Sequence, residues 1–124
     1  MQTKEGKKTK NILIVEDSFF FSKWLSNELL NIDGIQISCI VDNVNDALKL
    51  INEKEIDIAI LDFQLKEGLG IEILTYIKSN YKNIIVIVFS NYAEFKKDCL
   101  KLGADYFYDK SNEFEDLINL ISNL

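Results

Sequence analysis

Four runs with strand character in this chain end on residues able to do chemistry. Asn11-Ile12-Leu13-Ile14-Val15 runs into Glu16-Asp17, and Ile56-Asp57-Ile58-Ala59-Ile60-Leu61 runs into Asp62. Asn83-Ile84-Ile85-Val86-Ile87-Val88-Phe89 meets Ser90, and Asp105–Asp109 meets Lys110. If these runs are strands of one sheet pointing the same way, three carboxylates, a hydroxyl and an ammonium share one rim. Close carboxylates repel and raise at least one pKa unless a cation neutralises them. A donor set made of oxygens alone favours a hard ion such as Mg²⁺, which keeps several of its waters.

The residue types that are missing narrow the chemistry. The chain has no His and no Pro, and all 14 of its basic residues are Lys. Without His there is no Ser-His-Asp or Cys-His nucleophile pair and no imidazole metal ligand. Without Arg, bidentate recognition of phosphate or of guanine edges is lost. Proton or phosphoryl chemistry must therefore run on carboxylates, hydroxyls, Lys and backbone amides. Two cysteines, Cys39 and Cys99, are too few for a disulfide framework or a zinc cluster and read as small packing residues.

The elements that must position these groups belong to a single domain of 124 residues, 48% hydrophobic and 27% charged. No apolar run approaches the roughly 18 residues of a spanning helix, and the start, Met1 to Lys8, is polar rather than a secretory signal. The expectation is a cytoplasmic protein without membrane insertion. Charge is uneven: residues 1–10 carry four Lys against one Glu, the rest ten Lys against nineteen acids. Residues 1–9 read as a flexible Lys-rich tail, and an acidic body is a poor match for nucleic acid.

Between the strand-like runs, apolar residues recur at helical spacing. Phe21, Trp24, Leu25 and Leu29 form one such stripe, broken by Asn31-Ile32-Asp33-Gly34 before a further strand, Ile35–Val41. Ala47, Leu48 and Ile51 mark a second helix, and Ile73, Leu74 and Ile77, after Gly68 and Gly70, a third. A fourth runs from Ala93 to Leu102 with Gly103 as its C-cap, and Phe114, Leu117, Ile118 and Ile121 line the last. Five strand–helix units with near-continuous apolar strands predict a parallel sheet covered on both faces, a doubly wound α/β sandwich. Its functional cleft lies at the carboxyl ends of the strands.

With these residues in place, the segment 10–124 resembles the receiver domain of two-component response regulators. Val15-Glu16-Asp17-Ser18 is similar to the acidic pair after the first strand of that family. Leu61-Asp62-Phe63-Gln64-Leu65-Lys66-Glu67-Gly68-Leu69-Gly70 is similar to its phosphoacceptor loop, with an aliphatic three residues after the Asp and a Gly eight after it. Ser90 falls on the family's Ser/Thr position, and Gly103-Ala104-Asp105-Tyr106-Phe107-Tyr108-Asp109-Lys110 resembles the fifth strand with its Lys.

The resemblance implies a flavodoxin-like (βα)5 fold with strand order 2-1-3-4-5 and a stand-alone phosphoaccepting switch rather than an enzyme. Asp62 is then the phosphoacceptor. Glu16, Asp17, Asp62 and the backbone carbonyl of Gln64 hold Mg²⁺, Lys110 pairs with Asp62 and then with the phosphoryl group, and Ser90 hydrogen-bonds a phosphoryl oxygen. Ser90 and Phe107 form the switch, reporting through the fourth helix, fifth strand and fifth helix, a surface that includes Phe95, Lys96, Lys97, Asp98 and Lys101. Tyr106 and Tyr108 point to the other side of that strand. Gln64 and Tyr92 tune the lifetime of the phosphoryl group by limiting the approach of water. The implied partners are a sensor histidine kinase or histidine phosphotransfer protein and an unidentified downstream protein, with a phosphorylation-dependent homodimer left open.

Each role has a structural alternative. Asp62 could be a turn residue, Glu16-Asp17 the charged cap of the first helix, Lys110 a solvated loop residue, Ser90 the cap of the fourth helix and Phe107 a static core aromatic. The functional alternative is a pseudo-receiver that binds a protein without being phosphorylated; an aspartate-nucleophile phosphatase lacks its second acid, since position 64 is Gln. Two departures from the family pattern bear on this. Ser111 stands where Pro usually follows the Lys, altering how Lys110 is held. Lys66 stands where Pro usually lies in the phosphoacceptor loop, either loosening that loop or placing a cation near the site. Of Phe19-Phe20-Phe21, a helix cannot bury all three, so Phe19 or Phe20 is expected near the cleft mouth or in a partner contact.

Overall fold

The computed structural model describes residues 9–124; the expected tail lies, apart from Thr9, outside them. Five strands alternate with helices: β1 (Lys10–Val15), α1 (Phe19–Leu29), β2 (Ile35–Val41), α2 (Val44–Glu53), β3 (Ile58–Leu61), α3 (Gly70–Asn80), β4 (Ile85–Ser90), α4 (Lys96–Lys101), β5 (Tyr106–Asp109) and α5 (Phe114–Ser122). All strand pairs are parallel, in the order β2-β1-β3-β4-β5. This is the doubly wound sandwich that the apolar runs call for, in the flavodoxin-like strand order that the resemblance implies.

Strand periodicity divides the core in two. Leu13, Val15, Ala59, Leu61, Val86, Val88 and Phe107 face one side, where α2, α3 and α4 supply Ala47, Ile51, Ile73, Leu74, Ile77 and Cys99. Ile12, Ile14, Ile58, Ile60, Ile87 and Phe89 face the other, covered by Leu25 and Leu29 of α1 and Leu117 and Ile121 of α5. Phe107 thus separates from Tyr106 and Tyr108, which pack on the α1–α5 side as a stacked pair 6.3 Å apart. On that side Trp24 also rests on Phe114, ring centroids 4.6 Å apart, joining α1 to α5.

Several element bounds differ from the sequence reading, among them the starts of β3, β4, β5 and the fourth helix. β3 begins at Ile58 because the Asp57 carboxylate accepts the Asn11 N–H at 2.8 Å, closing the amino-terminal end of the sheet. The fourth helix opens as a 3₁₀ turn, Ala93–Phe95, before α4 proper. Its far end is as expected: Gly103 has φ 114°, and the N–H groups of Gly103 and Ala104 donate to Leu100 and Cys99 carbonyls in a Schellman closure.

Candidate functional site

The carboxyl ends of β1, β3 and β5 bring Glu16, Asp17, Asp62 and Lys110 together. One oxygen from each of the three carboxylates lies within 4.8 Å of the others. Asp17 is exposed, whereas Glu16 and Asp62 are 5% and 7% exposed. The Lys110 ammonium reaches between the buried pair, 2.6 Å from Glu16 Oε1 and 2.9 Å from Asp62 Oδ2. Lys110 is therefore no solvated loop residue. Asp62 is held at both oxygens, because the Phe63 N–H donates to Oδ1 at 2.7 Å.

Burial pushes the Glu16 carboxyl above the ordinary carboxylate range, against the opposing pull of Lys110 and the Ser18 N–H, with the charge of Asp62 raising it further. For Lys110, burial works to lower the ammonium, but the hydrogen bonds and charges of Glu16 and Asp62 outweigh it and raise it. Burial thus disfavours charge on Glu16, a cost that a cation bound beside it would offset. All-oxygen donors, two buried and one open to water, fit Mg²⁺, which binds through a few carboxylates and retained waters.

Local structure explains how these side chains are aimed. Ser18, rather than Glu16 or Asp17, caps α1: its Oγ accepts the Phe21 N–H at 3.2 Å, and its own N–H donates to Glu16 Oε2 at 3.0 Å. The peptide of Asp62 is pressed against the start of α3, where a Cβ on Gly70 would stand 2.0 Å from the Asp62 carbonyl oxygen. The Gly70 N–H also donates to the Phe63 carbonyl at 2.7 Å. The loop is tied across as well, since the Lys66 N–H donates to the Asp42 carbonyl at 3.1 Å and its ammonium lies 3.4 Å from the Asp42 carboxylate. Lys66 thus braces the loop and lines a cleft of about 300 Å³ with Glu16, Asp17 and Phe19.

Ser90 is fully buried at the end of β4, its Oγ accepting the Tyr92 N–H at 3.1 Å. Phe107 is buried beneath the α2–α4 side of the sheet. Tyr92 leans on Phe63 (centroids 5.9 Å apart), and Phe95 stacks flat on Phe63 at 4.4 Å. Phe95, expected on the outer surface, is instead half-buried because of that stack. Gln64 is exposed and pairs with Leu69 in an isolated bridge. After Lys110 no proline is required: Ser111 donates through both N–H and Oγ to Asp109 Oδ1, at 2.8 and 2.7 Å, and these bonds lower the Asp109 carboxyl. No peptide bond among the described residues is cis.

The sequence of the family described as "Response regulator receiver domain" matches residues 12–122. The chain belongs to this family. As a receiver domain it is part of two-component signalling. The receiver is 32% identical over 115 residues to the transcriptional regulatory protein MalR of Bacillus subtilis, covering 91% of this chain and 49% of that protein. It is 33% identical over 103 residues to the protein-glutamate methylesterase/protein-glutamine glutaminase of Trichodesmium erythraeum, covering 80% of this chain and 29% of that protein. The receiver thus spans half or less of the length of these curated relatives. A DNA-binding response regulator of the LuxR family from Staphylococcus aureus shares the fold, with TM-score 0.84, 24% identity, and 92% of this chain and 97% of that chain covered.

Three contacts at the site escaped the sequence reading. Phe21 presents its ring to Lys110, with the ammonium 4.3 Å from the centroid. The Phe63 amide restrains Asp62, and Gly70 matters by its lack of bulk. Only Gly70 carried a signal, its place eight residues after Asp62.

Proposed function

We propose that this receiver accepts a phosphoryl group on Asp62 from a partner phosphohistidine, with Mg²⁺ as cofactor. The single observation that carries the reading is the Asp62 carboxylate fixed 2.9 Å from the Lys110 ammonium inside a pocket shared with Glu16 and Asp17. Asp62 attacks phosphorus, the phosphorus–nitrogen bond of the donor breaks, and the freed imidazole leaves with the donor protein. Glu16, Asp17, Asp62 and the Gln64 carbonyl would hold Mg²⁺, which when bound would supply positive charge to the carboxylate and phosphoryl oxygens. Lys110 gives up Asp62 for the new phosphoryl group, and Ser90 trades the Tyr92 N–H for a phosphoryl oxygen. These 124 residues contain no His, so the donor histidine lies outside them.

The output we propose runs through α4, β5 and α5, with Phe107 adjusting as Ser90 turns, toward a downstream protein or a second copy of the chain. It is a switch rather than an enzyme that turns over a substrate. The proposed setting is the cytoplasm, where ATP-dependent kinases supply phosphohistidine. Among the described residues no helix is long and apolar enough to cross a membrane. The acidic balance beyond residue 10 supports a receiver surface that does not itself bind nucleic acid.

The test is intact-mass measurement after incubation with Mg²⁺ and acetyl phosphate. One phosphoryl group on wild type and none on Asp62→Asn supports the proposal. No gain with acetyl phosphate or with a phosphorylated histidine phosphotransfer protein overturns it in favour of a phosphorylation-independent binding module.

A further inference from the structure

Lys110 has three neighbours at its ammonium, and only two of them are charged. Glu16 and Asp62 are the carboxylates; the third is the ring of Phe21, 4.3 Å from ammonium to centroid. The lysine side chain is only 10% exposed. A cation over an aromatic face is drawn to the ring's negative quadrupole, most strongly where water is excluded.

The ring is held in place rather than resting there by chance. Trp24 and Phe89 pack against Phe21 with centroids 5.5 and 5.9 Å away, so its orientation is fixed from α1 and from β4. Its backbone is set by the cap, because the Phe21 N–H is the donor that Ser18 Oγ accepts. Ser18 in turn donates to Glu16, and Glu16 accepts from Lys110. The contacts close a circuit: Glu16 to Ser18, Ser18 to Phe21, Phe21 to Lys110, Lys110 back to Glu16. The first turn of α1 and the end of β5, 89 residues apart in sequence between Phe21 and Lys110, come into direct contact at the site through this ring.

We infer that Phe21 is a positioning residue for Lys110, its ring face keeping the ammonium aimed at Asp62. The inference rests on the reading that Lys110 acts on the phosphoryl group of Asp62. A lysine is a flexible four-carbon stem ending in a strongly hydrated point charge. Its two carboxylate partners are also the groups a divalent cation takes up, so their hold on the ammonium weakens when that cation binds. The ring carries no net charge and no lone pair for a hard cation, so its hold does not compete. A leucine at position 21 fills comparable space without a quadrupole, and a tyrosine adds a hydroxyl that needs its own partner.

The experiment has two arms. In metal-free protein, the Lys110 ε-methylene protons of wild type are shifted upfield by the ring current, and Phe21→Leu returns them to ordinary lysine positions. In the second arm, mono-, di- and trifluorinated phenylalanine are placed at position 21, which drains the quadrupole while keeping the shape. With Mg²⁺ and acetyl phosphate, the rate of phosphoryl uptake falls stepwise, by roughly fivefold at the trifluorinated ring, with melting temperature unchanged. The same series in a Lys110→Met background is flat. Uptake that ignores fluorination in wild type, or unshifted Lys110 protons in the metal-free protein, overturns the inference. A wild-type protein that takes up no phosphate at all overturns the phosphoacceptor reading instead, and the ring-current arm then decides the positioning of Lys110 alone.

Discussion

Replacing Gly70 by Ala tests whether the site depends on a close approach of backbone to backbone. Gly70 needs space, and its φ is not in the left-handed region. A Cβ there would lie 2.0 Å from the Asp62 carbonyl oxygen, 3.0 Å from its carbon and 3.4 Å from Phe63 Cα. An ordinary carbon–oxygen contact is about 3.3 Å, so the Asp62–Phe63 peptide and the start of α3 must part by roughly 1.3 Å. Overpacking of this kind costs about 1–3 kcal/mol, and loss of the Gly70 N–H bond to the Phe63 carbonyl adds about 1 kcal/mol. At about 4 °C per kcal/mol for a domain of this size, melting falls by roughly 8–16 °C. The carboxylate moves with its peptide, and a displacement near 1 Å costs on the order of 100-fold in rate. The assay pairs a thermal melt with phosphoryl uptake from acetyl phosphate below the transition. Gly103→Ala is the control: its φ of 114° makes it a strained substitution, but it lies at the end of α4 and should lower stability while sparing the rate. A Gly70→Ala protein that melts with wild type and takes phosphate at the wild-type rate would refute the argument.

Three other outcomes are expected. Lys110→Met leaves Glu16 and Asp62 buried without their cation and costs about 3–5 kcal/mol in metal-free protein; added Mg²⁺ recovers part of this in chemical denaturation, and equal stability with or without the metal would contradict it. Ser18→Ala removes the α1 cap and costs about 1 kcal/mol, read as a lower denaturation midpoint, and it also slows phosphoryl uptake through loss of Phe21 alignment. Tyr92→Ala removes the ring that leans on Phe63, the neighbour of Asp62, and shortens the aspartyl-phosphate lifetime, followed by mass after the donor is removed; an unchanged lifetime counts against a tuning role for Tyr92.

Much of the fold was legible because strand burial has a period of two and helix burial of about four. The apolar run ending at Phe89 splits cleanly into Val86 and Val88 on one face and Ile87 and Phe89 on the other. The grouping of Glu16, Asp17, Asp62 and Lys110 was legible too, since parallel strands deliver their carboxyl ends to one edge whatever the register. Harder to see was anything set by the angle at which a segment enters or leaves the sheet. Three consecutive phenylalanines offer three candidates; the Ser18 cap turns Phe21 onto Lys110, puts Phe19 on the cleft and leaves Phe20 84% exposed. The start of the fourth helix was misread for a similar reason. Phe95 stacks on Phe63, a contact between distant segments, and the chain enters α4 through a tight turn.

The contact of Trp24 with Phe114 has a practical side. This is the sole tryptophan of the chain, it is partly open to solvent, and it touches Phe21, the ring that lies over Lys110. Tryptophan emission from these 124 residues therefore originates at one seam, two aromatic steps from the reactive lysine. Any reseating of one helix against the other will alter its colour or brightness, so the molecule carries its own optical gauge and needs no attached dye.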